Sequence, residues 1–299
     1  VQRLQIGIVF LSILVLFGCQ AEEEMGAGQP QLLIRCDDIG MNHSVNIAAE
    51  RLSQTGIPFS ASVMVACPWF EEAANLLEGK EHISVGVHLT LNSEWQNYRW
   101  GPVLGQIAVP SLVDENGYFW STTIQFLKNE PRAKEVRREL KAQIDKALCS
   151  GLQVDYVDYH MGTAVSTQEF RDIVEGLAKE YNLGIARYFG ETYGTGIYAA
   201  DPGAKLDSLI TLVEHFDPNK TYLQVFHIGT DNPEMQALID YNPHGLANMA
   251  AHRQAELDAL IAPNFVMALE RNGVRLVNYR SLIEEIGLGK MERPEDLHY

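Results

Sequence analysis

Leu32-Leu33-Ile34-Arg35-Cys36-Asp37-Asp38 is the first of several short apolar runs that end on a polar side chain capable of chemistry. Val85-Gly86-Val87 runs into His88, Tyr156-Val157-Asp158-Tyr159 into His160, Ile185-Ala186 into Arg187, and Leu223-Gln224-Val225-Phe226 into His227. Runs of this length, rich in Val, Ile and Leu, read as strands buried on both faces, as in parallel sheets. Strands are expected at 32–36, 60–65, 83–87, 154–158, 184–187, 222–226 and 274–278, with helices in the gaps. A repeated strand–helix order implies parallel strands joined by right-handed crossovers. About seven such units make an α/β fold, a TIM-barrel-like (β/α) barrel, with an open doubly wound sheet as the alternative.

Local signals agree. Ser166 to Glu169 has capping-box spacing, Gly151 fits the position just past a helix end, and Asp201-Pro202 opens a helix. The stripe expected on that last helix is Leu206, Leu209, Ile210, Val213 and Phe216. No GxGxxG follows the first strand and no P-loop occurs, which counts against nucleotide binding.

The 299 residues are 46% hydrophobic, enough for a large core, and the formal net charge is −16. A polyanion of this kind repels nucleic acid and anionic lipid, so no nucleic-acid partner is expected. Arg3, the apolar run 6–17 and Gly18-Cys19 read as a signal peptide with a lipobox over residues 1–19, lipidated at Cys19. Residues 20–30 read as a flexible tether. The expected location is therefore that of an exported, membrane-anchored bacterial lipoprotein, in the periplasm or at the cell surface, touching the membrane only through its lipid. Residues 31–299 are expected to form one catalytic domain with a long loop at 90–130. Cys36, Cys67 and Cys149 are too few for a disulfide scaffold, and no CxxC pair suggests a thiolate metal site.

In parallel α/β folds the carboxyl ends of the strands form one rim, where active sites sit. Asp37, Asp38, His88, His160, Arg187 and His227 are thereby expected to converge. Acidic pairs usually lie on solvated surfaces, but this one leaves a buried strand, where an unpaired charge is costly. A single histidine after a strand is usually structural; three at equivalent strand ends point to chemistry. One carboxylate and two imidazoles suit a divalent ion with open positions. A second carboxylate supplies a general base and a third imidazole a general acid, a set suited to hydrolysis of an amide or ester. Which aspartate is base and which is ligand cannot be read from adjacency. On the loop, Trp95, Trp100 and Trp120 are candidate substrate-binding rings, because flat aromatic faces pack on sugar rings; the bland alternative is that they anchor the loop.

The sequence also resembles the YdjC-like, or ChbG-type, carbohydrate deacetylases. The matching pieces are Leu33-Ile34-Arg35-Cys36-Asp37-Asp38-Ile39-Gly40, Val85-Gly86-Val87-His88-Leu89-Thr90-Leu91, Val157-Asp158-Tyr159-His160, Pro110-Ser111-Leu112-Val113-Asp114 with Gly117-Tyr118-Phe119, His227-Ile228-Gly229, and the late stretch from Arg253 through Glu256-Leu257 to Gly273-Val274-Arg275-Leu276. The resemblance implies a (β/α) barrel related to polysaccharide deacetylases, one divalent ion (zinc or magnesium), and an acetylated sugar as substrate. It makes Asp37 the catalytic base, Asp38, His88 and His160 the metal ligands, Arg187 the residue steadying the base, and His227 the group assisting the leaving amine. Departures occur at Asp-Asp-Ile-Gly, at the single His160, and at His-Ile-Gly, and they bear on substrate identity. Two other readings stand beside it: another metal-dependent barrel hydrolase or isomerase acting on sugar or phosphate esters, and a non-catalytic carbohydrate-binding surface lipoprotein. A homodimer is left open.

Overall fold

Among the described residues the apolar runs form eight parallel strands in one sheet: β1 (Gln31–Ile39), β2 (Phe59–Val63), β3 (Ile83–Leu89), β4 (Val154–Tyr159), β5 (Gly184–Ile185), β6 (Thr192–Gly194), β7 (Thr221–Phe226) and β8 (Arg275–Val277). The computed structural model describes residues 28–194, 196–242 and 245–295. The expected signal segment with Cys19, and residues 20–27 of the expected tether, lie outside the described residues. No helix among those described is long and apolar enough to cross a membrane.

The strand order is β5-β4-β3-β2-β1-β7-β6, with β8 paired to β1. Residues 31–33 of β1 pair with β8, and residues 35–39 pair with β2, so β8 wedges in at the amino-terminal end of the sheet. The seven expected strands are all present; the short β6 is additional. No ladder joins β5 to β6 among the described residues, so the sheet is a half-barrel rather than a closed ring.

Strand alternation sorts side chains onto two faces. Leu32, Ile34 and Cys36 belong to the core between sheet and helices, whereas Leu33 belongs to a separate cluster with Tyr156, Leu223, Val225 and Tyr279 inside the barrel. Arg35 and Asp37 share the inward face with Leu33. Gly86 is required there: a Cβ would lie 2.3 Å from the Tyr156 ring.

The 90–130 segment is held from beneath by the helix Ala133–Cys149. Glu135 accepts from Ser111 N–H at 2.8 Å, Glu139 from Val103 and Leu104 N–H at 2.8 and 3.1 Å, and Gln143 from Thr90 N–H at 2.9 Å. These residues stand at i, i+4 and i+8 and make a buried polar row that satisfies loop backbone. A bridge from Trp95 to Asp240 ties the same segment to the region before the helix Met249–Ile261.

Candidate active site

Two adjacent carboxylates on a regular strand would face opposite ways. Here β1 carries an irregularity between Cys36 and Ile39, and Asp38 adopts φ +65°. Aspartate tolerates this left-handed conformation better than most residues. The kink leaves Asp37 on the inward face and aims Asp38 along the rim. Two other strand ends carry positive φ, Met161 (51°) after His160 and Arg187 (71°). Three of the six described non-glycine residues with positive φ thus stand at this rim, and such strain is often met at functional sites.

Asp38 Oδ1 lies 3.6 Å from His88 Nε2 and 3.3 Å from His160 Nδ1, and the two nitrogens are 3.2 Å apart. Ligands about 2.0–2.1 Å from one ion are separated by roughly 2.9–3.4 Å, so this triangle has the size of one face of a coordination shell. All three residues are buried. Asp38 Oδ1 is a buried oxygen with no hydrogen-bond donor, although Oδ2 accepts from Arg253 at 2.6 Å. A buried lone pair facing two imidazole nitrogens fits a cation.

The outer contacts agree. His88 Nδ1 meets Asp158 at 3.0 Å and His160 Nε2 meets Glu94 at 2.9 Å. A carboxylate on the far ring nitrogen fixes tautomer and orientation in metal-binding histidines. Among the described residues, Asp37, Asp38, Asp158 and Glu94 form ion pairs with two arginines, Arg35 and Arg253, besides the two histidines. Four negative charges against two positive leave an excess of two, which a divalent ion or two protonated imidazoles would cancel. Correspondingly, burial pulls the His160 pKa down, but the Glu94 and Asp38 carboxylates push it up to about 10. His88 is raised too, with burial opposed by Asp158 and Asp37. Burial also works against ionised Asp38, yet Arg253 and His160 hold it well below the usual carboxylate range.

A second possible group is Asp37, His88 and Asp158. It is the poorer cage, because Arg35 already occupies it: Nε and Nη2 each donate to Asp37 at 2.7 Å, and Nε lies 3.1 Å from Asp158. Arg35 thus takes the place expected of Arg187 as the cation on Asp37, since residues 35 and 37 share a strand face. Arg187 instead lies over the Tyr193 ring at 5.0 Å, with its backbone N–H on Glu191. Burial raises the Asp37 pKa, but Arg35 and His88 outweigh it and Asp37 stays ionised.

His227 ends β7 with its backbone N–H on Glu256 at 2.5 Å and its ring edge-on to Tyr198, 5.4 Å between centroids. Its Nδ1 is buried without a hydrogen-bond partner. Burial lowers its pKa; Asp38 opposes this and Arg253 reinforces it.

The aromatic expectation is corrected in part. Trp95 and Trp100 are 2% and 3% exposed. Trp100 donates its indole N–H to Asn92 O at 2.6 Å and backs His160 at 6.2 Å. Trp95 lies under Arg253, 5.8 Å from its guanidinium carbon, at the edge of a cleft of about 620 Å³ lined also by Met235, Asp240, Leu246 and Met249. Burial makes both rings part of the packing behind the site, Trp100 against His160 and Trp95 against Arg253, rather than exposed platforms. Trp120 is half-buried against the core. An exposed ring beside the rim is Tyr198, which the sequence did not single out. Arg35, Glu94, Asp158 and Arg253 were also missed.

A family model described as YdjC-like protein matches residues 31–271. A carbohydrate deacetylase of Enterococcus faecalis is 27% identical over 267 residues, covering 84% of this chain and 98% of the relative. One from Geobacillus stearothermophilus is 28% identical, covering 83% and 96%. One from Thermus thermophilus is 37% identical over 54% of this chain and 55% of its own. A crystal structure from Enterococcus faecalis, described in terms of cellobiose-phosphate cleavage, superposes with a TM-score of 0.70 at 23% identity, covering 85% of this chain and 99% of the other. That likeness carries the fold alone.

Proposed function

The chain belongs to the YdjC-like family, and from that premise we propose that it is a carbohydrate deacetylase that hydrolyses an acetyl group from an acetylated sugar with the help of one divalent ion. The observation that carries the reading is the buried triangle of Asp38 Oδ1, His88 Nε2 and His160 Nδ1 with Asp37 on its flank. Two imidazoles and edges close to the tetrahedral value favour zinc over magnesium.

Bound there, such an ion polarises a carbonyl oxygen and lowers the pKa of water. The protein's own groups do the rest. Asp37, kept ionised by Arg35, accepts a proton from the attacking water as its oxygen bonds to the acetyl carbon. The carbon–nitrogen bond then breaks, and His227 passes a proton to the departing amine. The lowered pKa of His227 makes it a stronger acid when protonated, at the cost of a smaller protonated fraction. Arg253 holds Asp38 in place from the far oxygen. Trp100 packs behind His160.

The test is acetate release from N-acetylated mono- and oligosaccharides by chelator-stripped protein, with zinc or magnesium added back. No acetate from any acetylated sugar under either metal refutes the reading. We also infer a lipid tether at Cys19, supported by the basic residue, the apolar run and Gly18-Cys19 in sequence. This would place the enzyme outside the cytoplasm, where it meets extracellular saccharides.

A further inference from the structure

Lys205 is completely buried. Its ammonium has three donors, and all are used: on Glu256 at 2.9 Å, on Ile197 O at 3.0 Å and on Tyr198 O at 3.0 Å. Glu256 is buried as well, and its other oxygen accepts the backbone N–H of His227. One ion pair therefore joins four separate parts of the chain: the turn at 197–198, the helix Lys205–Glu214, the end of β7, and the helix Met249–Ile261. That helix also carries Arg253, three residues before Glu256 and so on nearly the same face, reaching Asp38. The Tyr198 ring, about one-third exposed, stands edge-on to His227 at the rim.

A buried ion pair is a poor source of stability, because desolvation consumes most of the attraction and an apolar pair of the same volume serves as well. Here its geometry has another use. Both carbonyls and the His227 amide are fixed by the same two side chains, so the acid and the exposed ring cannot shift independently. We propose that Lys205 and Glu256 are positioning residues that lock His227 and Tyr198 into one wall of the site, with Tyr198 as the surface against which the sugar ring lies. An aromatic face beside the proton donor suits a pyranose whose apolar face stacks while its amide nitrogen meets the imidazole. This rests on the deacetylase reading above.

The experiment compares wild type with Lys205→Met, Glu256→Gln and Tyr198→Ala on two substrates. One is an N-acetylated sugar, whose amine leaves only when protonated. The other is 4-nitrophenyl acetate, whose phenolate leaves without an acid and which has no sugar to stack. Bound zinc and melting temperature are measured alongside. Lys205→Met and Glu256→Gln should lose at least tenfold in kcat/KM on the sugar and less than threefold on the ester, with zinc content kept. Tyr198→Ala should raise KM for the sugar at least fivefold with little change in kcat. Equal losses on both substrates in Lys205→Met and Glu256→Gln would mean a merely structural ion pair and overturn the proposal. So would sugar kinetics at the wild-type level in those two variants. If Lys205→Met does not fold, Glu256→Gln and Tyr198→Ala decide by the same criteria. A wild type inert on every acetylated sugar instead refutes the functional reading on which the proposal stands.

Discussion

Asp38→Asn should remove the metal, and Asp37→Asn should not. In the first variant the side chain keeps its shape but loses the charge, and its amide must satisfy two opposed neighbours. Arg253 demands an oxygen at the Oδ2 position, 2.6 Å away. The NH2 is then turned toward His88 and His160, where it cannot act as a ligand. Structural zinc sites with four ligands bind with roughly 10–16 kcal/mol, so one ligand is worth about 3 kcal/mol, or roughly a hundredfold in affinity. At free zinc a hundred times the wild-type Kd, binding stabilises the wild type by about 2.7 kcal/mol, and a site a hundredfold weaker retains about 0.4 kcal/mol. For a chain of this size the zinc-induced rise in Tm is about 4–5 °C for wild type and no more than about 1 °C for Asp38→Asn. Asp37 has both oxygens on Arg35, so Asp37→Asn should keep a near-normal zinc-induced rise while kcat falls roughly a hundredfold. The assay is a melting curve with and without zinc, backed by titration against a chromophoric chelator. A full zinc-induced rise in Asp38→Asn together with its loss in Asp37→Asn would exchange the two roles and refute the geometry argued above.

Trp100→Ala should cost about 3–5 kcal/mol of stability, since it empties a buried indole site and strands Asn92 O; a wild-type urea midpoint combined with a KM increase restricted to oligosaccharides would return Trp100 to sugar binding. Burial holds the Glu139 pKa above its ordinary value, so its contribution to stability is fully present below the ordinary carboxylate pKa and is lost as pH rises through the folded value. Glu139→Gln removes that dependence, so between pH 4 and pH 7 the stability difference should move in the variant's favour; a shift the other way in urea titrations at the two pH values contradicts the assignment. Cys19→Ser should move the protein from the membrane fraction to the soluble one, and unchanged fractionation would rule out the lipid tether.

The rim was legible because each apolar run announces its own carboxyl end. Asp37, His88, His160 and His227 each stand where a strand gives out. Arg35 had a signal that went unused: it lies two residues before Asp37, hence on the same strand face, inside a run otherwise apolar. Asp158 carried the same mark two residues before His160. Glu94 had none, because irregular backbone has no period from which to predict direction. Lys205 was obscured by a small rotation. The stripe expected on its helix began at Leu206, whereas the buried row is Lys205, Leu209 and Val213, and a lysine beside an apolar stripe reads as a solvated edge. Which of Asp37 and Asp38 faces His88 and His160 was illegible for a different reason: it turns on one backbone angle at Asp38, which no side-chain pattern encodes.

The polar row of Glu135, Glu139 and Gln143 sets how the 90–112 stretch can open. Because the amides of Thr90, Val103, Leu104 and Ser111 all end on side-chain oxygens of one helix, releasing them together would leave the buried oxygens of Glu135, Glu139 and Gln143 short of donors. Loop and helix should therefore behave as one cooperative unit in hydrogen exchange, with those four amides sharing the opening free energy of the helix interior rather than the fast exchange typical of long connections. Glu94 lies within the same stretch, so its contact with His160 should share the slow opening of that unit.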